Sequence, residues 1–368
     1  MTNTDLLPVG LEDRLPVSAA RITRAMREAL GVLDTHGYDR VRPPLLEFES
    51  SLASRMTGVS TERCFRMTDP ASLRTLALRS DITPQIGRIA ATSMREAPRP
   101  LRLAYCGDTA LIQASQLDPA RERLQLGAEL IGADTVGGAS EIVTLALKAL
   151  EAAGLTGLSV DFTMPDVVDI LAGRDGALDS ETVEAVRREL DTKDAGGLKA
   201  VGGEAYLPLL HAAGPIEAAL PKLREIDADG ALASRLDGLE RIAEAVGGAA
   251  RITLDPTERH GFEYQTWFGF TLYAEGLRGA AGRGGTYRIG GSEEAATGFS
   301  LYLDRIADVA SGEEAARPTI FLEPGHNEEK AEVARAQGYR TIARLSDEDD
   351  PRALGCTHIL NGDEISAL

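Results

Sequence analysis

Residues 106 to 132 read CGDTALIQASQLDPARERLQLGAELIG. The second half alternates in the manner of a strand, with Gln125, Gly127 and Glu129 on one face and Leu124, Leu126, Ala128 and Leu130 on the other. Such a polar face is suited to a ligand, although a solvated sheet face explains the spacing equally well. The stretch from Asp108 to Asp118 holds no Lys or Arg, which a site handling an anion would want.

Other chemistry-bearing patterns are weaker. GLRGAAGRGG has the glycine density of a phosphate loop, but it lies between strand-like segments and not at a strand-to-helix turn, so it reads as a tight turn. The five histidines, His36, His211, His260, His326 and His358, show no ligand spacing. The cysteines Cys64, Cys106 and Cys356 form no C-x-x-C pair, and no G-x-S-x-G nucleophile signature is present. Neither a metal nor a cofactor is expected.

The elements around these residues follow from periodicity. Ser18 to Thr35 places Ile22, Met26, Ala29, Leu30 and Leu33 at helical spacing after Pro16. GYDRVRPPLLEF reads as a strand broken by Pro43 and Pro44, suited to an edge or an interface. A second helix is expected from DITPQIGRIAATSMRE, with Thr83 as its cap and Pro84 at the first helical position. From about 166 to 247 the pattern turns helical. Strands return at RITLDPT, QTWFGFTLYAEG and GTYRIGG, and a helix is expected around TGFSLYLDRIADVA. Strands flanking a helical insertion predict a largely antiparallel α+β fold over residues 1–312. Residues 313–368 read as a small separate α/β unit.

Bulk properties narrow the class. At 43% hydrophobic and 26% charged residues the composition is that of a soluble globular protein. No apolar run reaches the roughly 20 residues of a membrane span, and the first ten residues lack a signal peptide's basic start, so a cytoplasmic location is expected. A net charge of -18 argues against a nucleic-acid partner, because phosphate backbones are gripped by clustered Lys and Arg.

The order of segments is more specific than any one of them. GYDRVRPPLLEF, ALRSDITPQIGRI, the 106–132 stretch, RHGFEYQTWFGF, GRGGTYRIGG and ATGFSLYLDRI occur as they do in histidyl-tRNA synthetases, which the chain resembles from about Leu6 to Arg305. The resemblance implies a class II synthetase core that dimerises through its first motif, whose proline matches Pro44. It places the histidine ligand at Asp81, Thr83, Gln125, Glu129 and Tyr287, with the segment around Tyr264 nearby. These types suit a free amino acid: carboxylates answer an ammonium or a polarised imidazole N–H, and an amide serves either polarity.

The chain departs from the synthetase pattern where phosphate chemistry occurs. Counting back from Gln125, the second-motif arginine falls on Leu111, the acidic residue after it on Gln113, and the loop's basic residues on Asp118 and Pro119. His260 stands where synthetases place an arginine before the glycine of RHGFEY, and Arg305 of the third motif is kept. Each lost cation typically costs about 100- to 1000-fold in stabilising a developing charge. The pattern is similar to the regulatory subunits of ATP phosphoribosyltransferase, noncatalytic synthetase paralogues of histidine biosynthesis. That resemblance implies assembly with a short catalytic subunit, as a homodimer within a hetero-octamer, and a share in histidine feedback, with no tRNA bound. A divergent working synthetase and a stand-alone histidine sensor are the alternatives.

Overall fold

The computed structural model describes residues 6–53, 63–113, 119–175, 179–259, 265–310 and 317–368. Helix α1 (Pro16–Thr35) begins at Pro16, whose missing N–H costs nothing at a first helical position, and buries Ile22, Ala25, Ala29 and Leu33 along one face. Leu15 is its N-cap, so Ser18 lies inside the first turn. Strands β1 (Asp39–Arg40) and β2 (Leu46–Phe48) flank the two prolines and belong to different sheets. After α2 (Glu49–Ala53), β3 (Arg66–Thr68) and β4 (Thr75–Leu78) complete a small antiparallel sheet in the order β2-β4-β3.

Helix α3 (Thr83–Ala91) corrects the expected cap. Ile82 is the N-cap and Thr83 is already helical; the orphan N–H of Thr83 is met by the Asp81 carboxylate at 3.0 Å. The Thr83 hydroxyl is thereby left for another partner.

There follow β5 (Leu101–Ala110), β6 (Glu122–Ile131), α4 (Val136–Ala152) and β7 (Ser159–Thr163). Helices α5 (Val167–Asp175), α6 (Ser180–Asp191), α7 (Ala195–Ala200), α8 (Leu207–Leu210), α9 (Ile216–Ile226) and α10 (Ala233–Val246), with the short strand β8 (Gly214–Pro215), precede β9 (Arg251–Leu254). Strands β10 (Gln265–Tyr273), β11 (Gly282–Ile289) and β12 (Glu294–Tyr302) lead into α11 (Leu303–Val309). TGFSLY is therefore strand and not helix. Its period of two puts Phe299 and Leu301 in the main core, with Ser300 on the other face, an alternation hidden by the apolar density of the run.

The nine-stranded sheet runs β1-β5-β6-β12-β11-β10-β7-β9-β8 and is antiparallel except at β1–β5 and β7–β9. The parallel β7–β9 pair explains the helical region, since parallel neighbours need a long crossover. Those helices are part of the same core: Leu190, Leu223, Leu236 and Ile242 join Leu126, Ala128 and Leu130 of β6 and the inner faces of α1 and α4. On the opposite face α3 packs Ile82 and Ile86 against Leu103, Tyr105, Tyr287 and Ile289. That second face carries the polar residues of β6.

Chain contacts divide the molecule into two units, Met1–Ser311 and Gly312–Leu368. In the second, β13 (Thr319–Leu322), α12 (Glu328–Ala336), β14 (Arg340–Ala343), β15 (His358–Asn361) and β16 (Glu364–Ala367) form a sheet of order β14-β13-β15-β16. It closes on Ile320, Leu322, Ala331, Ala334 and Leu360. Among the described residues no helix is long and apolar enough to cross a membrane.

Candidate functional site

Strand register assembles the site. Residues directly opposite in antiparallel strands point to the same face. Glu129 of β6 faces Gly298 of β12, which faces Gly285 of β11, then Gly269 of β10 and Thr163 of β7. Three glycines in adjacent strands thus make a floor without side chains between a carboxylate and a hydroxyl. The next row on this face is Tyr105, Gly127, Ser300, Arg283, Thr271 and Asp161. A third holds Gln125 and Tyr302. Neither Gly127 nor Gly298 has room for a Cβ: the first would meet the Tyr105 hydroxyl and the second the Glu129 carboxylate.

The acidic end of this trench is closely bonded. The Tyr287 hydroxyl donates to Glu129 Oε2 at 2.9 Å and the Tyr105 hydroxyl lies 3.3 Å from Oε1. Tyr105 is also 2.9 Å from Ser300 Oγ and 3.2 Å from Thr83 Oγ1. The Ile82 N–H donates to Gln125 Oε1 at 3.0 Å, which fixes the amide orientation, and Gln125 Nε2 then donates to Asp81 Oδ1 and to Ser300 Oγ, each at 2.7 Å. Glu129 is 1% exposed and Gln125 4%. Burial raises the Glu129 carboxyl to about 8; the Asp81 charge adds to the rise, and hydrogen bonds from Tyr287, Thr83 and Tyr105 oppose it. At neutral pH the carboxyl is thus mainly protonated, and an arriving cation would displace that proton.

The loop that presents Asp81 and Thr83 is held by a buried arginine. Arg79, 6% exposed, donates from Nε to the Asp108 carbonyl at 2.7 Å and from Nη1 to the Pro43 carbonyl at 3.1 Å. Gln85 Nε2 donates to the Pro44 carbonyl at 2.8 Å. Arg88 pairs with Glu47 at 2.6 Å, which ties α3 to β2. Arg79→Met should therefore cost about 1 to 3 kcal/mol, because the buried Pro43 carbonyl is left without its donor, whereas the carbonyl of exposed Asp108 can turn to water. Urea unfolding with an unchanged denaturant slope checks this.

The family model for histidyl-tRNA synthetase matches residues 10–306. The chain is 39% identical to the ATP phosphoribosyltransferase regulatory subunit of Paramagnetospirillum magneticum, over 99% of this chain and 98% of that one. It is 38% identical to the regulatory subunit of Rhodospirillum centenum, over 99% and 96%. The chain belongs to the family of ATP phosphoribosyltransferase regulatory subunits. A solved structure described as a regulatory subunit/histidyl-tRNA synthetase from Bacillus halodurans superposes with a TM-score of 0.82 at 25% identity, covering 96% of this chain and 97% of that one. Histidyl-tRNA synthetase from a Nostoc species shares the fold at 14% identity, with a TM-score of 0.77 and coverages of 96% and 90%. The chain thus carries the class II synthetase architecture, an α+β sheet with helices on both faces.

In this family member Asp81, Thr83, Gln125, Glu129 and Tyr287 converge on one face of the sheet, whereas Tyr264 and His260 lie outside the described residues. Sequence reasoning missed Tyr105, Ser300 and the glycine floor, which only strand pairing brings to the site. It also missed a basic end. The Arg123 guanidinium lies 5.1 Å from the Tyr302 ring centroid, and burial together with the charges of Arg305 and Arg283 lowers its pKa. Leu111 ends the β5 edge of the hairpin, its N–H donating to the Arg121 carbonyl at 2.7 Å. Among the described residues no group of three or more His, Cys, Asp or Glu side chains is placed to hold a metal ion.

Proposed function

We propose that the chain is the regulatory subunit of an ATP phosphoribosyltransferase, which assembles with a short catalytic subunit, activates it and conveys feedback inhibition by histidine. The observation that carries this reading is the constellation of buried Glu129 and Gln125 with half-buried Asp81 in a chain matching regulatory subunits along nearly its whole length. In this reading Glu129 and Asp81 take the ammonium and imidazole N–H of histidine, Tyr287, Tyr264 and Thr83 line the ligand, and Gln125 sets its orientation. Leu111 and His260, at positions where synthetases carry arginines, support a role without aminoacylation. A homodimer within a hetero-octamer, a cytoplasmic location and the absence of tRNA binding belong to the same proposal.

A pocket without a reaction acts by coupling to a partner, and that coupling is reciprocal in binding free energy. Asp81 and Thr83 open α3, whose Gln85 and Arg88 hold the Pro44 carbonyl and Glu47, so the pocket is in bonded contact with the first-motif segment. The test is to mix the protein with the short catalytic subunit and follow phosphoribosyl-ATP formation with and without histidine. Co-elution, activation on mixing and stronger histidine inhibition of the complex are expected. Typical coupling of about 1 to 3 kcal/mol would shift affinity about 5- to 150-fold. Separate elution with unaltered activity would remove the reading, and robust histidine-dependent pyrophosphate exchange into ATP would favour a working synthetase.

A further inference from the structure

A free amino acid brings a carboxylate as well as an ammonium and a ring, and the acidic end of the trench repels it. Burying that carboxylate without a cation would forfeit much of the affinity gained at Glu129 and Asp81. The second-motif position that meets the carboxylate in synthetases is Leu111 here, so the counter-charge has to come from elsewhere in the sheet. The polar face offers three arginines near Tyr302, whose pKa burial raises and whose rise Arg283, Arg123 and Arg305 oppose.

Only one of the three borders the trench. Arg123 is paired with Thr109, two same-face rows beyond Gly127, and its guanidinium leans on the Tyr302 ring. Arg305 belongs to α11 and donates to the Ala280 carbonyl at 3.5 Å. Arg283 stands in the row next to the glycine floor, two residues from Gly285 and directly opposite Ser300, which is bonded to both Gln125 and Tyr105. Two strand spacings, across β12, and one same-face row separate it from Glu129. With strands about 4.8 Å apart and a rise of about 3.4 Å per residue, the two Cα positions are about 12 Å apart, which leaves the length of an amino acid once both side chains extend. At the far end of the floor the Thr163 hydroxyl, on a residue 1% exposed, has no hydrogen-bond partner among the described residues.

We propose that Arg283 is the carboxylate anchor of the pocket, pairing with the ligand's α-carboxylate across the glycine floor while Glu129 and Asp81 hold its other end. The proposal rests on the histidine reading above and makes the pocket selective for the zwitterion over amines of the same shape.

The test is calorimetry on the full chain, alone and with the catalytic subunit, using histidine and histamine, which lacks only the carboxylate. Native protein should prefer histidine by roughly 10- to 150-fold, the range expected for one charge-assisted pair. Arg283→Gln should erase that preference by weakening histidine and leaving histamine unchanged, and Arg283→Lys should restore part of it. A general loss of structure would weaken both ligands together, and in that event the Arg283→Lys variant decides the matter through its histidine-to-histamine ratio. An undiminished preference in Arg283→Gln or Arg283→Lys would overturn the anchor and leave the histidine reading intact. Absence of histidine binding by the native protein in either form would overturn the histidine reading and the anchor with it.

Discussion

Glu129→Ala should weaken histidine binding roughly 10- to 150-fold, the loss of one charge-assisted bond from a buried site. The pH dependence of the native protein carries the same information with a definite sign. Folding raises the Glu129 carboxyl from its ordinary 4.5 to about 8, so between those values the folded state binds a proton that the unfolded chain does not. Stability of the ligand-free protein from this group therefore falls as pH rises from about 4.5 to about 8 and is level above. Ligand binding behaves oppositely. A cation at Glu129 favours the carboxylate, so histidine should expel a proton below about pH 8 and bind more tightly as pH rises toward that value. Calorimetry in two buffers of different ionisation enthalpy counts the proton. Glu129→Gln should remove its release and leave only the imidazole's own titration; an unchanged proton count in that variant would show that Glu129 does not meet the cation.

The residues legible in the sequence are those whose geometry is local. Gln125 and Glu129 share a face because a strand alternates every two residues, and Asp81 and Thr83 adjoin because a helix starts between them. Thr83 shows the limit of local reading: helix capping explains its type, yet the cap bond comes from Asp81, and the Thr83 hydroxyl faces Tyr105 instead. Ser300, Gly298, Gly285, Gly269 and Arg283 were not legible as site residues. They lie on three strands far from Gln125 and Glu129 in the chain, and only the pairing of β6, β12, β11 and β10 aligns them. The apparent lack of cations beside the polar face has the same origin. The stretch from Asp108 to Asp118 holds none, whereas Arg123 follows in β6 of the same hairpin, Arg283 comes from β11 and Arg305 from α11.

The glycine floor leads to the largest expected effect. A Cβ on Gly298 would fall inside the Glu129 carboxylate and press on the Ala128 carbonyl of the neighbouring strand. Backbone in the middle of a nine-stranded sheet has little freedom to move aside, so the carboxylate must swing away from Tyr287. Gly298→Ala then loses the charge-assisted bond, about 1.5 to 3 kcal/mol, and places a methyl in the ligand's own seat, an overpacking cost of about 1 to 3 kcal/mol met on binding, so histidine affinity should fall roughly 10²- to 10⁴-fold. Gly284→Ala is the matched control, since its Cβ would press on the Phe270 ring in the main core and on the carbonyl of neighbouring Gly298, adding no side chain to the face that carries Glu129. It should lower thermal stability by a similar overpacking cost and leave histidine affinity of the folded protein within a few-fold of native. If both variants weaken histidine equally, the effect is global and the trench is not the ligand's seat. If Gly298→Ala alone does so, a row of absent side chains is what makes room for the ligand.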